Sequence, residues 1–167
     1  EPQLVEEIVR ASQIEGDPAW AKLSPNTHLV IEGARAAQRG GAQAVTLINT
    51  ALGMSMNPTT GLPSLGNGGG GLSGRSVHPI AVRVIYEVAA NVPDLPIVGA
   101  GGVTSGWEAI ELMLAGASAV QVGTASFAEP RAMSRIQREM IQWAKRHQVS
   151  DWSEIVGLAH RGGISAL

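Results

Sequence analysis

The sequence predicts an α/β fold: the carboxyl-terminal half of a (β/α)8 TIM barrel, with about four parallel strands alternating with helices. Two observations carry this reading. The segments Ile97-Val98-Gly99-Ala100-Gly101-Gly102 and Ala119-Val120-Gln121-Val122-Gly123-Thr124 each run from a short apolar strand into glycines or a Gly-Thr step, with one helix's worth of residues between them. A strand-then-helix unit is entered at Trp20–Leu23, Ala44–Ile48, Pro96–Gly99 and Ala119–Val122, whereas a full barrel has eight such units in roughly 250 residues. At 167 residues the chain is expected to be one partial domain, 1–167, carrying strands 5 to 8 of a parent barrel.

In chain order, Leu4, Ile8 and Val9 with Glu6, Glu7 and Arg10 between them predict a short amphipathic helix, so the chain is expected to begin in the middle of a repeat. Ser24-Pro25-Asn26-Thr27 is a turn, with Asn26 or Thr27 as candidate cap of a helix from about Leu29 to Arg39 that Gly40-Gly41 ends. The second strand leads into Asn49-Thr50. From 51 to 77 the chain is rich in glycine and lacks periodicity, which predicts a loop far longer than the ~2–6 residues usual after a strand. It lies at the strand end where barrel function resides.

Ile80, Val82, Val84, Ile85 and Val88 predict a helix from about Pro79 to Ala90, stopped by Pro93. Ser105 is the candidate cap of the next, with Ala109, Ile110, Leu112, Met113 and Leu114 facing inward or toward neighbours and Gly116 at its end. Arg131 to His147 reads as a long helix burying Met133, Ile136, Met140, Ile141 and Trp143. Asp151 to Val156 would start a short closing helix, and Arg161 to Leu167 reads as a frayed tail. Strands separated by helices predict a parallel sheet.

Twelve basic against fourteen acidic residues leave a formal charge of −2 with no run of like charges, so neither a nucleic-acid nor a membrane-surface partner is expected. No apolar stretch approaches the ~18 residues of a membrane span, and the acidic start is unlike a signal peptide, so the expected setting is cytoplasmic. The absence of cysteine excludes disulfides and cysteine-ligated metal within this chain. No cluster with metal-ligand spacing is present, so no metal is expected.

Glycines at strand ends let backbone amides approach an anion, and the amides of a following helical turn favour negative charge. Gly101, Gly102, Gly123 and Thr124 are therefore candidate phosphate-holding positions, and a phosphorylated ligand is expected. Lys22 lies inside an apolar strand, where an unpaired ammonium is costly to bury. It either points from the strand's carboxyl end at an anionic or electron-rich ligand or joins an internal ion pair. Asn49 and Thr50 offer an amide and a hydroxyl to a planar ligand such as an imide or pyrimidine, or else cap the loop. The run Gly66 to Gly74 exposes backbone amides, and its continuation through Leu72-Ser73-Gly74-Arg75-Ser76-Val77-His78-Pro79 into a helix argues against a linker.

His28, His78, His147 and His160 lie at turns or helix ends, where solvated or capping roles are expected. Glu32, Glu87, Glu108 and Glu111 fall on helices as solvated charges, and Trp20, Trp107, Trp143 and Trp152 are expected in the core or an interface. There are no paired carboxylates and no nucleophile–base pair. The residues describe a ligand site without an acid–base group of its own.

Five stretches, Lys22-Leu23-Ser24-Pro25, Leu47-Ile48-Asn49-Thr50-Ala51-Leu52-Gly53-Met54, Gly69-Gly70-Gly71-Leu72-Ser73-Gly74, Gly99-Ala100-Gly101-Gly102-Val103 and Gly123-Thr124-Ala125, resemble the dihydroorotate dehydrogenases in order and spacing. They look most like class 1B, the catalytic subunit of the NAD-dependent enzyme. The resemblance runs from about Val5 to Ile155 and implies an FMN-binding barrel that oxidises (S)-dihydroorotate to orotate in pyrimidine biosynthesis. It implies that Lys22 contacts the flavin ring near N1 and its C2 carbonyl, where a cation stabilises the anionic reduced flavin. By the same resemblance Ile48 contacts the flavin through its backbone, and Asn49 and Thr50 hydrogen-bond the orotate ring. Gly74, with Ser73 beside it, approaches the flavin, while Gly101, Gly102, Gly123 and Thr124 hold its ribityl phosphate.

The family's base is a cysteine on a loop earlier than the first strand here, and no position of this chain matches it. No catalytic residue is therefore expected among these residues, and the 167-residue polypeptide alone is expected to lack turnover. The resemblance further implies a homo-oligomer and a partner subunit carrying FAD and a [2Fe-2S] cluster that passes electrons to NAD. Arg75 stands where the family often has proline after Leu-Ser-Gly. Two rival readings are a dihydropyrimidine dehydrogenase-like FMN barrel, which the Asn49 to Met54 run disfavours, and a non-catalytic flavin- or phosphate-binding half-barrel that self-associates through its open edges.

Overall fold

The computed structural model describes residues 1–166. Helix α1 (Pro2–Ala11) leads to β1 (Trp20–Leu23), α2 (Val30–Arg39) and β2 (Ala44–Leu47). An inserted arm of β3 (Ala51–Met54), β4 (Met56–Asn57), β5 (Leu62–Pro63) and β6 (Gly69–Leu72) follows. The strand–helix alternation then resumes with α3 (His78–Asn91), β7 (Ile97–Ala100), α4 (Gly106–Ala115), β8 (Ala119–Gln121), α5 (Ala125–Ala128) and α6 (Ala132–Arg146).

The main sheet has the order β1-β2-β7-β8 with every pair parallel, the α/β arrangement expected of a partial barrel. The helices neighbour one another in the matching order, α1 on α2, α2 on α3, α3 on α4 and α4 on α6. Residues facing each other across parallel strands share a face. One row, Leu23, Leu47, Gly99 and Val120, alternates with another, Lys22, Thr46, Val98 and Ala119.

All four residues of β2 are buried, as befits a central strand covered on both sides. Helix α3 meets the sheet through Ala81, Val84, Ile85 and Val88, all fully buried, at the spacing of a helical stripe. Each of its larger apolar side chains contributes roughly 1.5–3 kcal/mol on burial. Helix α4 is buried on two sides. Ala109, Leu112 and Ala115 join the sheet core, while Ile110 and Met113 pack with Trp143, Ala144 and Ile155 in a second cluster. That double burial accounts for its nearly all-apolar sequence.

Several expectations are corrected. Residues 51–77 are an arm rather than a loop: β3 pairs antiparallel with β6, and β4 with β5. Its tip is an Asn57 turn, in which the Asn57 side chain accepts from the Thr59 N–H at 2.9 Å and its carbonyl from Gly61 at 2.8 Å. Leu4 and Ile8 of α1 are exposed, and only Val9 of that helix is buried. Lys22 is exposed on the edge strand β1 and joins no ion pair among the described residues, so of its two expected roles the internal ion pair is the one that does not form. The buried residues of α6 are Ala132, Ile136, Trp143 and Ala144, leaving Met133 and Ile141 exposed.

Of the tryptophans only Trp143 is core; Trp20, Trp107 and Trp152 are exposed. The short closing helix forms as a 3-10 helix, Trp152–Glu154, capped by Asp151, and the expected frayed tail is instead turned at Leu158–Arg161 and Gly163–Ala166. Arg161 ties them back by donating to the Val156 and Glu154 carbonyls, both at 2.9 Å. Leu167 lies outside the described residues. No described helix is long and apolar enough to cross a membrane.

Candidate functional site

A cleft of about 460 Å³ opens at the carboxyl ends of the sheet strands. It gathers every position singled out from the sequence: Lys22 from β1, Ile48, Asn49 and Thr50 after β2, Ser73 and Gly74 after β6, Gly101 and Gly102 after β7, and Gly123 and Thr124 after β8. Val77, Thr104, Gln121 and Met133 are further lining residues. Among the described residues Lys22 is the one ionisable side chain in the lining.

Backbone hydrogen bonds align the strand tips. The Ile48 N–H donates to the Ala100 carbonyl at 2.7 Å and the Asn49 N–H to the Leu23 carbonyl at 2.9 Å; the Leu47–Ile48 peptide is cis. Asn26 does not cap α2. Its Nδ2 donates to the Thr50 carbonyl at 2.9 Å and its Oδ1 accepts from the Leu52 N–H at 2.8 Å, so it anchors the base of the arm beside the cleft. Thr27 only accepts from the Leu29 N–H, at 3.1 Å, ahead of that helix. Among the described residues the side chains of Lys22, Asn49, Thr50, Ser73 and Thr124 have no hydrogen-bond partner. With Gln121, whose side chain also has no hydrogen-bond partner among the described residues, the cleft presents one cation, two amides and three hydroxyls ready for a ligand.

Toward β7 and β8 the wall is bare backbone. Gly102 has φ +67°, and a Cβ there would lie 2.7 Å from the His78 Cβ and 2.9 Å from the Gly74 carbonyl oxygen. The glycine turn is pressed onto the start of α3. The N–H groups of Gly102, Gly123 and Thr124 have no acceptor among the described residues, and three free amides at one wall form an anion-binding surface.

The amide at the start of the following long helix is not free. The Gly106 N–H donates to Glu139 at 2.6 Å, so at that position α4 offers its amide to a carboxylate of α6 rather than to a ligand. Glu139 also pairs with Arg135 at 2.8 Å, and Arg135 in turn reaches Glu129 at 2.7 Å and the Thr104 carbonyl at 3.1 Å. The Gly106 N–H and then Arg135 hold the Glu139 carboxyl below its usual range against the opposing effect of burial.

Two residues expected at the surface are buried beside this wall. Glu108 accepts from Ser105, from Thr104 at 3.2 Å, and pairs with Arg75 at 3.1 Å. Burial pushes its carboxyl up, but the Ser105 and Thr104 hydrogen bonds together with the Arg75 charge outweigh it and hold the carboxyl low. His78 places Nδ1 2.8 Å from the Gly101 carbonyl and Nε2 3.0 Å from Glu111. His160 does cap a helix end, with Nε2 3.0 Å from the Ala115 carbonyl. The Ser105-x-x-Glu108 spacing is a capping-box signature that marks Glu108 in the sequence. Nothing local marks the His78–Glu111 contact or the Gly106–Glu139 contact, each of which joins residues 33 apart.

The profile of the dihydroorotate dehydrogenase family matches residues 1–143. The dihydroorotate dehydrogenase B (NAD(+)) catalytic subunit of Alkaliphilus oremlandii is 42% identical over 157 residues, 93% of this chain and 52% of that protein. The protein of the same description from Citrifermentans bemidjiense is 44% identical over 158 residues, 94% of this chain and 52% of its own length. A putative dihydroorotate dehydrogenase A (fumarate) of Solibacter usitatus is 40% identical over 158 residues, again 94% and 52%. The chain spans about half the length of the curated relatives it matches. With this match laid over the parallel strands and the cleft at their ends, the chain belongs to the dihydroorotate dehydrogenase family.

Proposed function

We propose that the cleft binds FMN and that residues 1–167 supply strands 5 to 8 of a barrel that oxidises (S)-dihydroorotate to orotate in cytoplasmic pyrimidine biosynthesis. The observation that carries this reading is the division of one cleft into a wall of unpartnered amides at Gly102, Gly123 and Thr124 and a wall of unpartnered polar side chains with a single cation, Lys22. A phosphate with a planar, electron-rich ring fits that donor set. The volume, about 460 Å³, falls in the range of cofactor sites.

FMN, when bound, supplies the two-electron acceptor for the oxidation. Gly101, Gly102, Gly123 and Thr124 hold its phosphate, Lys22 sets a positive charge toward the ring, and the Ile48 backbone, Ser73 and Gly74 border it. Asn49 and Thr50 orient the pyrimidine substrate. None of the lining side chains is a carboxylate, imidazole or thiol, so the base that removes the substrate proton comes from outside these residues. The chain by itself is accordingly without turnover. Exposed Leu4, Ile8, Ile14 and Trp20 on and after α1 and on β1, together with the unpaired outer edge of β1, support continuation of the sheet into further strands. Electrons pass to NAD through a subunit carrying FAD and a [2Fe-2S] cluster, and the assembled enzyme is a homo-oligomer of such units.

Expressing the whole reading frame that contains these residues, and assaying it with dihydroorotate, FMN and NAD, tests the proposal. The expected result is a yellow protein that retains FMN and forms orotate. A protein that takes up no FMN overturns the cofactor assignment, and orotate formed with fumarate in place of NAD overturns the acceptor assignment.

A further inference from the structure

We propose that His78 is a positioning residue for the phosphate end of the cleft: protonated on both ring nitrogens, it ties the Gly101 carbonyl to Glu111 and thereby aims the Gly102 N–H at the bound phosphate. This rests on the flavin reading above. His78 is 7% exposed and opens α3, and both its ring nitrogens face acceptors, the Gly101 carbonyl at 2.8 Å and the Glu111 carboxylate at 3.0 Å. A neutral imidazole has one N–H and one lone pair, so it can donate to only one of them; the imidazolium donates to both. The Glu111 side chain is 45% exposed, so water solvates its charge and it serves as the anionic end of the chain.

The link to the ligand runs through one peptide plane. The Gly101 carbonyl and the Gly102 N–H belong to the same trans peptide and point in opposite directions. Holding the carbonyl against His78 therefore turns the N–H away from α3, and that N–H has no acceptor among the described residues. The close seat of Gly102 on the His78 backbone and Cβ makes the coupling rigid. The other charged or titratable groups on the surrounding elements are Glu108 on α4, Arg75 before α3, and Arg83, Tyr86 and Glu87 further along α3. Arg75 pairs with Glu108 and Arg83 with Glu87, while Tyr86 stacks on His160, so Glu111 alone of these pairs with the ring.

The test is the preference for FMN over riboflavin, which lacks the phosphate, in the protein expressed from the whole reading frame. His78→Leu is expected to reduce that preference about tenfold, the order of one charge-assisted hydrogen bond. His78→Lys, whose ammonium has three donors and no acceptor, is expected to keep most of it. Equal loss of FMN and riboflavin binding in H78L, or H78K behaving as H78L, overturns the positioning role while leaving the flavin reading intact.

Ring-nitrogen NMR of His78, assigned by its absence in H78K, reads the protonation directly. Two protonated nitrogens support the bridge, and a neutral tautomer overturns it. Absence of FMN binding by the wild type instead overturns the flavin reading, and the phosphate role of His78 with it.

Discussion

Replacing Gly102 by alanine probes how the glycine wall of the cleft is built. The added Cβ would sit 2.7 Å from the His78 Cβ, 2.9 Å from the Gly74 carbonyl oxygen and 3.0 Å from the His78 nitrogen, and two of those atoms are backbone that cannot rotate aside. The φ of +67° adds about 1–2 kcal/mol for a residue with a Cβ, and overpacking adds about 1–3 kcal/mol, so the expected loss is about 2–5 kcal/mol. For a chain of this size that is about 2–4 °C of Tm per kcal/mol. Gly123 is the control, because a Cβ there meets no heavy atom within 4 Å; Gly123→Ala should change stability by no more than about 0.5 kcal/mol and keep its backbone N–H free for a ligand. Denaturant unfolding and FMN titration of both variants measure this. Equal stability of the two variants would refute the claim that the turn is locked onto α3.

Lys22→Ala should lower FMN affinity about tenfold through loss of a charge-assisted contact and leave the unfolding midpoint unchanged, since Lys22 is exposed and forms no described ion pair; an unchanged FMN titration would count against its role. Glu108 is held below its ordinary value of 4.5 in the folded state, so it contributes stability above that pH which is lost as the pH falls through the folded value. Urea unfolding should accordingly show an acid limb that Glu108→Gln flattens, with about 1–3 kcal/mol lost at neutral pH as the Ser105, Thr104 and Arg75 contacts weaken. The 167-residue chain alone should give no steady orotate production in a spectrophotometric assay with dihydroorotate and FMN, and sustained turnover would sink the assignment of the base to residues outside it.

The parallel strands and the flanking helices are legible in the sequence because each is decided locally, by apolar runs, by stripes such as Ala81, Val84, Ile85 and Val88, and by Gly or Pro at their ends. The cleft positions are legible for a related reason: they lie immediately after strands, in contiguous stretches. What local pattern does not contain is the partner. Gly69 to Leu72 pairs with Ala51 to Met54 with hardly a side chain to show it, so the arm reads as loop. His78 and Glu139 look like surface residues until α4 is placed beside them. The apolar positions of α1 and β1 are likewise evident, but periodicity says which side is apolar and not whether anything covers it; Leu4, Ile8 and Trp20 are uncovered here.

The two walls of the cleft differ in how they can vary. On the flavin reading, where amides would hold the phosphate, at Gly102, Gly123 and Thr124, recognition is blind to side-chain identity, and Gly102 is fixed by the backbone rather than by the ligand. On the same reading, where side chains would meet the rings, at Lys22, Asn49 and Thr50, each exchange alters which ring is accepted and leaves the grip on the phosphate untouched. On the flavin reading, substrate choice in this half of the barrel is therefore an inheritable variable set at two adjacent positions, Asn49 and Thr50, while the cofactor handle stays constant.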